Sequence, residues 1–435
     1  MNVVTQLIEF RQAIYKNLCK AQDATFELMD ALLLTRKAQS LADLSLSVAF
    51  RRQWSSVYEA LQDTRPDRFE LMKLYIEQIQ ASETIVLSGD HTCWSRPFAK
   101  TLQERTYEHS PSQLGGHPVT VGYGYSTLAW IPEAEGSWAL PLRHERITSW
   151  DSPITQAVWQ LSSVSSHLPS RAISLWDSEY GCAPFVNQTA ELPVDKLMRL
   201  RSTLCLWGEP PAYEGRGRPK VHGDKFKLND PTTWRNPAQQ VEVDDPDLGK
   251  MRLRVWHNFH FRLSPSHPMS VLLVERLTTD GSPRISKPMW LAFVGLEMPP
   301  ACEVWRLYLR WFAIDHWYRF AKNRLHWTVP QLSTPLQCAR WSDLMPIVTW
   351  QLWLARHLVT QHPLPWQKSQ AKLTPGRVAQ SFGSILALLG TPARPPKLRG
   401  KSPGWIRGKQ RRRRIRYPVV KKGFSRSRKP AKKSP

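Results

Sequence analysis

The spacing of apolar and polar positions divides the chain into a helical beginning, a strand-rich middle and a helical end. Over residues 1–80, apolar positions recur at helical spacing in "AQDATFELMDALLLTRKA" and "DRFELMKLYIEQIQ", and no glycine precedes Gly89. Residues 81–199 instead contain short apolar runs with glycine between them, which are typical of strands. One helical stretch, "SPITQAVWQLSSVSSHL", stands among these runs, so this part predicts an α/β sheet.

The remaining segments interrupt, complete and follow this α/β domain. Residues 200–285 are rich in Gly, Pro and basic residues before further strand-like runs, and they predict a β-rich insertion. The strand "PMWLAFVGLEM" and a continuous helix over residues 308–327 complete the α/β domain within residues 286–340. Helical spacing returns over residues 341–390, and a basic tail occupies residues 391–435.

The N-terminal pattern is compatible with a helix-turn-helix. In "QSLADLSLSVAFRRQWSSVYEALQDTRPD" we predict a short helix near residues 40–47, a connection with Arg51 and Arg52, and a second helix that begins around Ser55. In a DNA-binding motif of this kind, the second helix lies in the major groove. A small helical bundle produces the same pattern, so DNA-end binding and plain bundle packing are both interpretations of residues 1–80.

Positive charge is concentrated in the tail. The 435-residue chain has a formal net charge of +24, and residues 391–435 contain 18 Lys and Arg and no acid, which leaves a net +6 elsewhere. We expect this tail to be largely disordered in isolation, because it has too few apolar residues for a core. Nucleic acid is its natural partner, with phosphates held by Arg411, Arg412, Arg413 and Arg414, and acidic lipid is the weaker alternative. A purely solubilising or targeting tail is the plain alternative.

The sequence argues against a membrane span and against a dense disulfide framework. No stretch approaches the roughly 18 uninterrupted apolar residues of a membrane helix. The start, "MNVVTQLIEFRQ", lacks the basic and apolar regions of a secretory signal. The chain has 6 cysteines, which stand far apart, so they predict reduced thiols and neither a zinc site nor a disulfide framework. We therefore expect a cytoplasmic protein without membrane contact.

Three acidic residues of the α/β domain are candidates for chemistry, two of them at the ends of predicted strands and one on a predicted helix. Asp90 ends the apolar run of "ETIVLSGDHTCW", Asp177 ends that of "RAISLWDSEYG", and Asp315 lies on the predicted helix "YLRWFAIDHWYRFAKNRLHW". Each has an ordinary explanation alone, because an acid after a strand often caps a turn and Asp315 with Arg319 is an i,i+4 pair of the kind found on solvated helix faces. Their joint occurrence is the more informative observation.

The three acids together match the needs of two-metal phosphodiester chemistry. Two divalent cations roughly 3.5–4 Å apart activate the attacking oxygen and neutralise the leaving one. Carboxylates suit Mg²⁺, for which Mn²⁺ is expected to substitute, because it prefers hard oxygen ligands. Asp90, Asp177 and Asp315 are therefore predicted as both the catalytic residues and the metal ligands. Arg319 and Lys322, one and two turns beyond Asp315, then face the phosphates beside the scissile bond.

Two further groups are candidates with weaker support. Glu179 lies two residues past Asp177 and can share its strand face, so it is an additional candidate ligand. The loop "GRGRPKVHGDKF" offers guanidinium and backbone groups to DNA phosphates through Arg216, Arg218 and Lys220. His222 in this loop fits a loop or DNA-contact residue better than a metal ligand.

The acid-bearing motifs, taken in order, resemble those of a known family. "SGDHTCW", "LWDSEYG" and "YLRWFAIDHWYRFAKNRL" resemble the DDE transposases of bacterial insertion sequences. More narrowly, they resemble the subgroup with a β-rich insertion between the second and third acids and a Tyr-Arg-Glu-Lys signature around the third. "GRGRPKVHGDKFKL" and "SLADLSLSVAFRRQWSSVY" also resemble this group, so the resemblance extends over residues 10–390.

The resemblance assigns individual positions with two departures. Asp90 and Asp177 match the first two metal ligands, whereas Asp315 stands where the third acid is usually Glu. The shorter side chain either is absorbed by a small backbone adjustment or marks a disabled copy.

Within the signature around the third acid, Tyr308 matches the Tyr and Lys322 matches the Lys. The signature's Arg falls on Trp311, although Arg310 is adjacent. We therefore include Tyr308, Arg310 and Lys322 among the predicted DNA contacts.

The resemblance implies a ribonuclease-H-like catalytic domain that uses two divalent metal ions on double-stranded DNA. The helical N-terminal domain precedes it, and further helices and the basic tail follow. Such an enzyme binds the terminal inverted repeats of its own element, cleaves each end and joins the freed 3′-hydroxyl to target DNA. It is expected to act as a dimer or higher assembly on the bacterial nucleoid. Some relatives use a hairpin intermediate held partly by a Trp of the insertion, for which Trp207 and Trp234 are candidates.

Two alternatives keep the fold and change the function. A decayed transposase would occupy its ends without cleaving them, which the Asp at position 315 motivates. A host nuclease on the same fold is the third interpretation, and it predicts no inverted repeats around the gene.

Overall fold

The computed structural model describes most of the chain outside the tail. The described residues are 2–80, 84–109, 118–213, 215, 217–278, 288–359, 366, 372–397, 404, 406–410 and 413–422. Within this part of the chain, every helix is either too short or too polar to cross a lipid bilayer.

Four helices and one 3-10 turn form the N-terminal region. The helices are α1 (Val3–Asn17), α2 (Gln22–Leu34), α3 (Ser55–Asp63) and α4 (Arg68–Ile76), and the 3-10 turn is Ala42–Leu46. The Asp67 side chain begins α4 by accepting the backbone N–H groups of Phe69 and Glu70. The structure thus has a 3-10 turn near residues 40–47 and a helix that begins at Ser55, and whether they bind DNA stays a prediction.

A mixed sheet occupies the middle of the chain. Its strands are β1 (Val86–Ser95), β2 (Thr106–His109), β3 (Val119–Trp130), β4 (Leu140–Ile147), β5 (Ala172–Trp176), β6 (Val194–Leu200), β9 (Gln239–Asp245), β10 (Gly249–Phe259), β11 (Met269–Arg276) and β12 (Met289–Val294). A separate pair consists of β7 (Cys205–Trp207) and β8 (Lys225–Lys227). The α/β prediction is therefore confirmed at the level of fold class.

The sheet order places β1 beside β3 and β5. It runs β2-β3-β1-β5-β6-β12-β11-β10-β9, and β4 also pairs with β3. β1 pairs antiparallel with β3 and parallel with β5, and β5 pairs parallel with β6. The crossovers between these parallel strands carry α5 (Pro153–Ser165) and α6 (Ala183–Gln188). The order β4-β3-β1-β5-β6, with its antiparallel first three strands, is consistent with a ribonuclease-H-like nuclease fold.

The strands of the β-rich segment extend this same sheet. β12 pairs with β6 on one side and with β11 on the other, and β10 and β9 follow. Of the described residues between 200 and 285, only the β7–β8 pair forms a second sheet. The β-rich segment is therefore largely continuous with the large mixed sheet through its hydrogen bonds.

The helix predicted over residues 308–327 is wrong as a single element. The structure has α7 (Ala301–Leu309) and α8 (Phe312–Asn323) instead. Between them the backbone N–H groups of Arg310 and Trp311 each bond a carbonyl three residues back, which tightens the chain into a turn. Tyr308 and Asp315 therefore lie on different helices.

Helix α9 (Pro335–Ala355) joins the N-terminal helices to the sheet. It is buried around nearly its whole circumference and contacts β4 on one side and α1, α2 and α3 on the other. The Trp350 ring stacks on Tyr75 of α4 at 5.4 Å and on Trp130 of β3 at 6.0 Å between ring centroids. The last helix, α10 (Pro375–Leu389), packs against α9 and α2.

Part of the basic tail lies against the large mixed sheet, although the tail is predicted to be largely disordered in isolation. The backbone N–H of Val420 donates to the Arg105 carbonyl at 2.8 Å beside edge strand β2, and the Tyr417 N–H donates to the Lys100 carbonyl at 2.9 Å. Lys422 forms a 2.8 Å ion pair with Glu108, whose side chain is 6% exposed. Backbone pairing to an open sheet edge can order a charged segment, because it needs no apolar side chains.

Candidate active site

The strand register brings the first two acids side by side. Gly89 of β1 pairs with Trp176 of β5 in the parallel ladder, and this pair is the last one between the two strands. Asp90 and Asp177 are the next residues on their strands, so they leave the same edge at the same level. Asp90 does not end its strand as predicted, because β1 continues to Ser95 in its antiparallel pairing with β3.

Helix α8 brings the third acid to this edge. The Trp311 indole N–H donates to the Gly89 carbonyl at 3.2 Å, and the Tyr318 hydroxyl donates to the Asp90 carbonyl at 2.9 Å. Asp315 lies one helical turn from each of these two anchors, and its side chain is exposed. The helix therefore brings Asp315 to the same sheet edge, where its charge and that of Asp177 act on the Asp90 carboxyl.

Several negative charges lie close together at this edge of the sheet. Burial raises the pKa of Asp90 well above its usual range, and the neighbouring charges of Asp177, Asp315 and Glu179 raise it further. Burial also raises the pKa of Asp177 and of Asp315. The His91 Nδ1 atom lies 3.9 Å from a carboxylate oxygen of Asp90.

These carboxylates fit a divalent cation by chemistry. They supply hard oxygen donors, and a cation between them would relieve the repulsion that raises the Asp90 pKa. In the described part of the chain, no three His, Cys, Asp or Glu side chains already converge in metal-binding geometry. The acids thus lie at one sheet edge as separate groups, and a cation held there would complete its shell with water or substrate oxygens.

Several residues at this edge were missed or ranked low by sequence reasoning. Glu179 approaches the His91 ring nitrogen at 3.7 Å, so it lies beside the acids as a fourth carboxylate. Arg199 and Arg201 are exposed at the end of β6, and the Arg201 charge acts on Asp177. The available signal was the basic pair in "KLMRLRS", which becomes meaningful only once β6 is known to lie parallel to β5.

The predicted DNA contacts on α7 and α8 differ in accessibility. Arg319 is exposed beside Asp315, and Lys322 is half-buried with its ammonium donating to the Thr92 hydroxyl at 2.7 Å. Tyr308 is fully buried, and its ring stacks on Trp311. Arg310 donates to the Ile131 carbonyl. Arg319 and Lys322 are thus placed to reach a substrate at this sheet edge, whereas Tyr308 faces the interior.

The predicted contacts outside these helices are exposed where they are described. Arg218 and Lys220 lie on the surface of the β-rich segment, and Arg413 and Arg414 lie on the surface of the docked tail. Three predicted contacts lie outside the described residues, namely Arg216, Arg411 and Arg412.

The two candidate Trp residues of the insertion have different surroundings. Trp234 packs against Phe226 and Trp290, and its indole N–H donates to the Lys227 carbonyl at 2.7 Å. Trp207 is partly exposed, with the Lys225 ammonium 5.4 Å from its ring centroid. His222 contacts the Trp207 ring and hydrogen-bonds His260 at 2.9 Å.

Replacing Asp90 by Asn is expected to stabilise the metal-free protein at neutral pH. The fold raises the Asp90 pKa, so the charged carboxylate costs folding free energy above that pKa. The cost is lost as pH falls through the folded pKa and is absent below the unfolded pKa of about 3.9. Thermal unfolding of both proteins in chelator, from about pH 4 to about pH 8, should therefore show a difference that grows with pH. A wild type at least as stable as the variant at neutral pH would contradict this electrostatic account.

Comparison with known protein families identifies the family of the chain. The family model described as DDE superfamily endonuclease matches residues 13–256, which is more than half of the 435-residue chain. The chain belongs to this family of DDE superfamily endonucleases. The resemblance to DDE transposases is thus confirmed at the level of the superfamily.

Other comparisons add little to the family assignment. The chain is similar to a solved piggyBac transposase in a synaptic complex with hairpin DNA, with a TM-score of 0.42 and 10% identity, over 93% of this chain and 85% of that chain. A TM-score of this size carries no argument about function. Comparison with curated protein sequences gives no match.

Proposed function

We propose that the protein is a DNA transposase that binds the terminal inverted repeats of its element and catalyses strand cleavage and strand transfer. The observation that supports this most directly is that the β1–β5 register and the anchoring of α8 place Asp90, Asp177 and Asp315 at one edge of the sheet. Origin in a bacterial insertion sequence and membership of the Tyr-Arg-Glu-Lys subgroup belong to the same proposal. The family assignment makes endonuclease chemistry the expected reaction class.

Asp90, Asp177 and Asp315 would hold the divalent cations, Mg²⁺ or Mn²⁺, on which endonucleases of this superfamily generally depend. When bound, two such ions supply positive charge that polarises the scissile phosphate and stabilises the leaving oxygen. The protein groups then orient the DNA, because Arg319, Arg201 and Arg199 are exposed cations around the acids. Burial lowers the pKa of Lys322, and its ammonium donates to the Thr92 hydroxyl of β1.

The partner in this proposal is double-stranded DNA, both the element ends and the target. Bringing two ends together requires at least a dimer on DNA. The exposed cations of the docked tail and of the Arg218–Lys220 loop extend the basic surface beyond the acids.

The experiment that tests this proposal is cleavage of a labelled duplex carrying the gene's flanking ends. Purified wild type with Mg²⁺ or Mn²⁺ is expected to release site-specific 3′-hydroxyl ends. Asp315→Ala is expected to bind the same duplex and release none, because the cation would lose one of its three carboxylates. Sequence-independent nicking by the wild type would favour a host nuclease instead.

A decayed DNA-binding protein is the second candidate function. It is favoured by Asp in place of the usual Glu at position 315 and by the open arrangement of the described carboxylates. The variant Asp315→Glu distinguishes an active transposase from a decayed one, since it restores the longer side chain. Salt-dependent end binding without cleavage in wild type, together with cleavage by Asp315→Glu, would identify a disabled copy.

Replacing Arg413 and Arg414 of the docked tail by Gln is expected to weaken DNA binding at every sequence. Removing one ionic interaction with a phosphate should reduce the slope of log affinity against log salt by roughly 0.9. Both side chains are exposed, so the fold should be unaffected. Fluorescence titrations at several salt concentrations measure the slope. The control is Lys250→Gln/Arg262→Gln, an exposed pair outside the tail, and an equal decrease in affinity for both variants would contradict a specific role of the tail.

A further inference from the structure

Three side chains of the α8 region attach it to consecutive parts of β1. Trp311, Tyr318 and Lys322 reach Gly89, Asp90 and Thr92 respectively. Their spacings of seven and four residues place them on one face of the helix, since seven residues make nearly two turns. The face that carries Asp315 is therefore held by contacts on both sides of it.

The Tyr318 contact is the central and most buried of the three. Its hydroxyl lies 2.9 Å from the Asp90 carbonyl oxygen and 2.8 Å from the Thr127 hydroxyl. Thr127 is the residue directly opposite Asp90 in the antiparallel β1–β3 ladder. One hydroxyl thus connects the helix to both strands at the level of the first acid.

We propose that Tyr318 is a positioning residue that fixes Asp315 relative to Asp90 through this buried hydroxyl. The inference rests on the proposed function, because it assigns Tyr318 a part in assembling that site. Tyr318 acts through the helix backbone and touches neither DNA nor cation. It is distinct from the Tyr308 and Lys322 positions that the sequence resemblance singles out.

Burial makes this contact suitable for positioning. Tyr318 is 5% exposed and Thr127 is 0% exposed, so water does not compete for their hydrogen bonds. Burial raises the Tyr318 pKa well above its usual range, which keeps the hydroxyl protonated as a donor. The His144 ring nitrogen lies 2.8 Å from the Thr127 hydroxyl, and burial lowers the His144 pKa to about 3, so this neighbour stays neutral.

The other two anchors do not replace the hydroxyl. Trp311 precedes the first residue of α8, and Lys322 is a half-buried side chain near the end of the helix. Without the Tyr318 hydrogen bonds, the middle of the helix can shift relative to β1 while both ends stay attached. A displacement of about 1 Å at a reacting group is enough to cost roughly 100-fold in rate.

The test compares Tyr318→Phe with Tyr123→Phe in the full-length protein. Both changes remove one buried tyrosine hydroxyl that donates to a backbone carbonyl, which for Tyr123 is that of Gln103. Three measurements are made: binding of Mn²⁺ alone by electron paramagnetic resonance, hydrogen exchange of the α8 amides, and Mn²⁺-dependent cleavage. Thr127→Val is a second variant that removes the other partner of the Tyr318 hydroxyl.

We expect Tyr318→Phe to fold and to bind DNA as the wild type does. It should need about tenfold more Mn²⁺ for half-saturation, exchange its α8 amides faster, and cleave roughly 10- to 100-fold more slowly at limiting Mn²⁺. Excess Mn²⁺ should restore part of the cleavage rate of Tyr318→Phe. Thr127→Val should behave like Tyr318→Phe, whereas Tyr123→Phe should match the wild type in all three measurements.

Unchanged Mn²⁺ binding and α8 exchange in Tyr318→Phe would overturn the positioning role, even if its stability fell. An equal effect in Tyr123→Phe would also overturn it, since the loss would then be a general consequence of removing a buried hydrogen bond. If the wild type binds Mn²⁺ but does not cleave, the proposed function fails while the binding comparison still decides the role of Tyr318. A wild type that binds no Mn²⁺ overturns both.

Discussion

Asp90→Asn and Asp177→Asn are each expected to reduce metal-dependent cleavage by about 1000-fold or more, because each removes a charged ligand where several kcal/mol of transition-state charge stabilisation would arise. Asn keeps the size of the side chain, so the β1–β5 register should persist. End binding should remain within a few-fold of wild type, since phosphate affinity comes from Lys and Arg. Single-turnover cleavage and a binding titration on the same labelled ends measure the two quantities.

The matched control for these variants is Asp244→Asn. Asp244 is exposed on β9, the strand farthest from β1 in the sheet order, and its replacement should leave cleavage unchanged. Cleavage retained by either site variant would defeat the assignment of that acid. Loss of binding together with cleavage would indicate instead that the variant no longer folds.

Arg11→Met is expected to destabilise the protein by about 3–5 kcal/mol, because it leaves a buried charge without its partner. The Arg11 guanidinium bonds both carboxylate oxygens of Asp30 at 2.9 Å, and both side chains are 2% exposed. It also donates to Gln351 of α9 and to the Gly390 carbonyl after α10. One side chain therefore holds the N-terminal helices to both C-terminal helices. Denaturant unfolding measures the change in free energy.

Two comparisons test the physical cause. Arg11→Met combined with Asp30→Leu removes both charges and should recover part of the stability, because no uncompensated charge remains. Lys73→Met breaks an exposed ion pair with Glu70, whose side chains are 38% and 48% exposed, and should cost at most about 1 kcal/mol. A double variant as unstable as Arg11→Met would show that lost packing, and not charge burial, causes the effect.

Local pattern was sufficient for much of the fold. The apolar, β-branched runs before Asp90 and Asp177 indicated strands because alternation and β-branching are properties of a few consecutive residues. The helix beginning at Ser55 was predicted for the same reason. Three acids at strand ends and on a later helix indicated metal-dependent chemistry before any contact was known, and the family match agrees with that class of reaction.

The break between α7 and α8 was not visible in the sequence. Residues 308–327 contain neither Gly nor Pro, so nothing in them interrupts helical spacing. The turn is stabilised from outside, since Arg310 donates to the Ile131 carbonyl and Trp311 to the Gly89 carbonyl. These partners are 179 and 222 residues away, beyond the reach of any local pattern.

Residue type and spacing thus determined the elements, the excess of positive charge and the identity of the three candidate acids. The tertiary structure determined their arrangement, namely the register that aligns Asp90 with Asp177 and the hydrogen bond from Tyr318 to Asp90 across 228 residues. It also ordered residues 413–422 by backbone pairing at the edge of β2. The physical reason is that propensity acts over a few neighbouring residues, whereas register, helix docking and edge pairing depend on groups that only folding brings together.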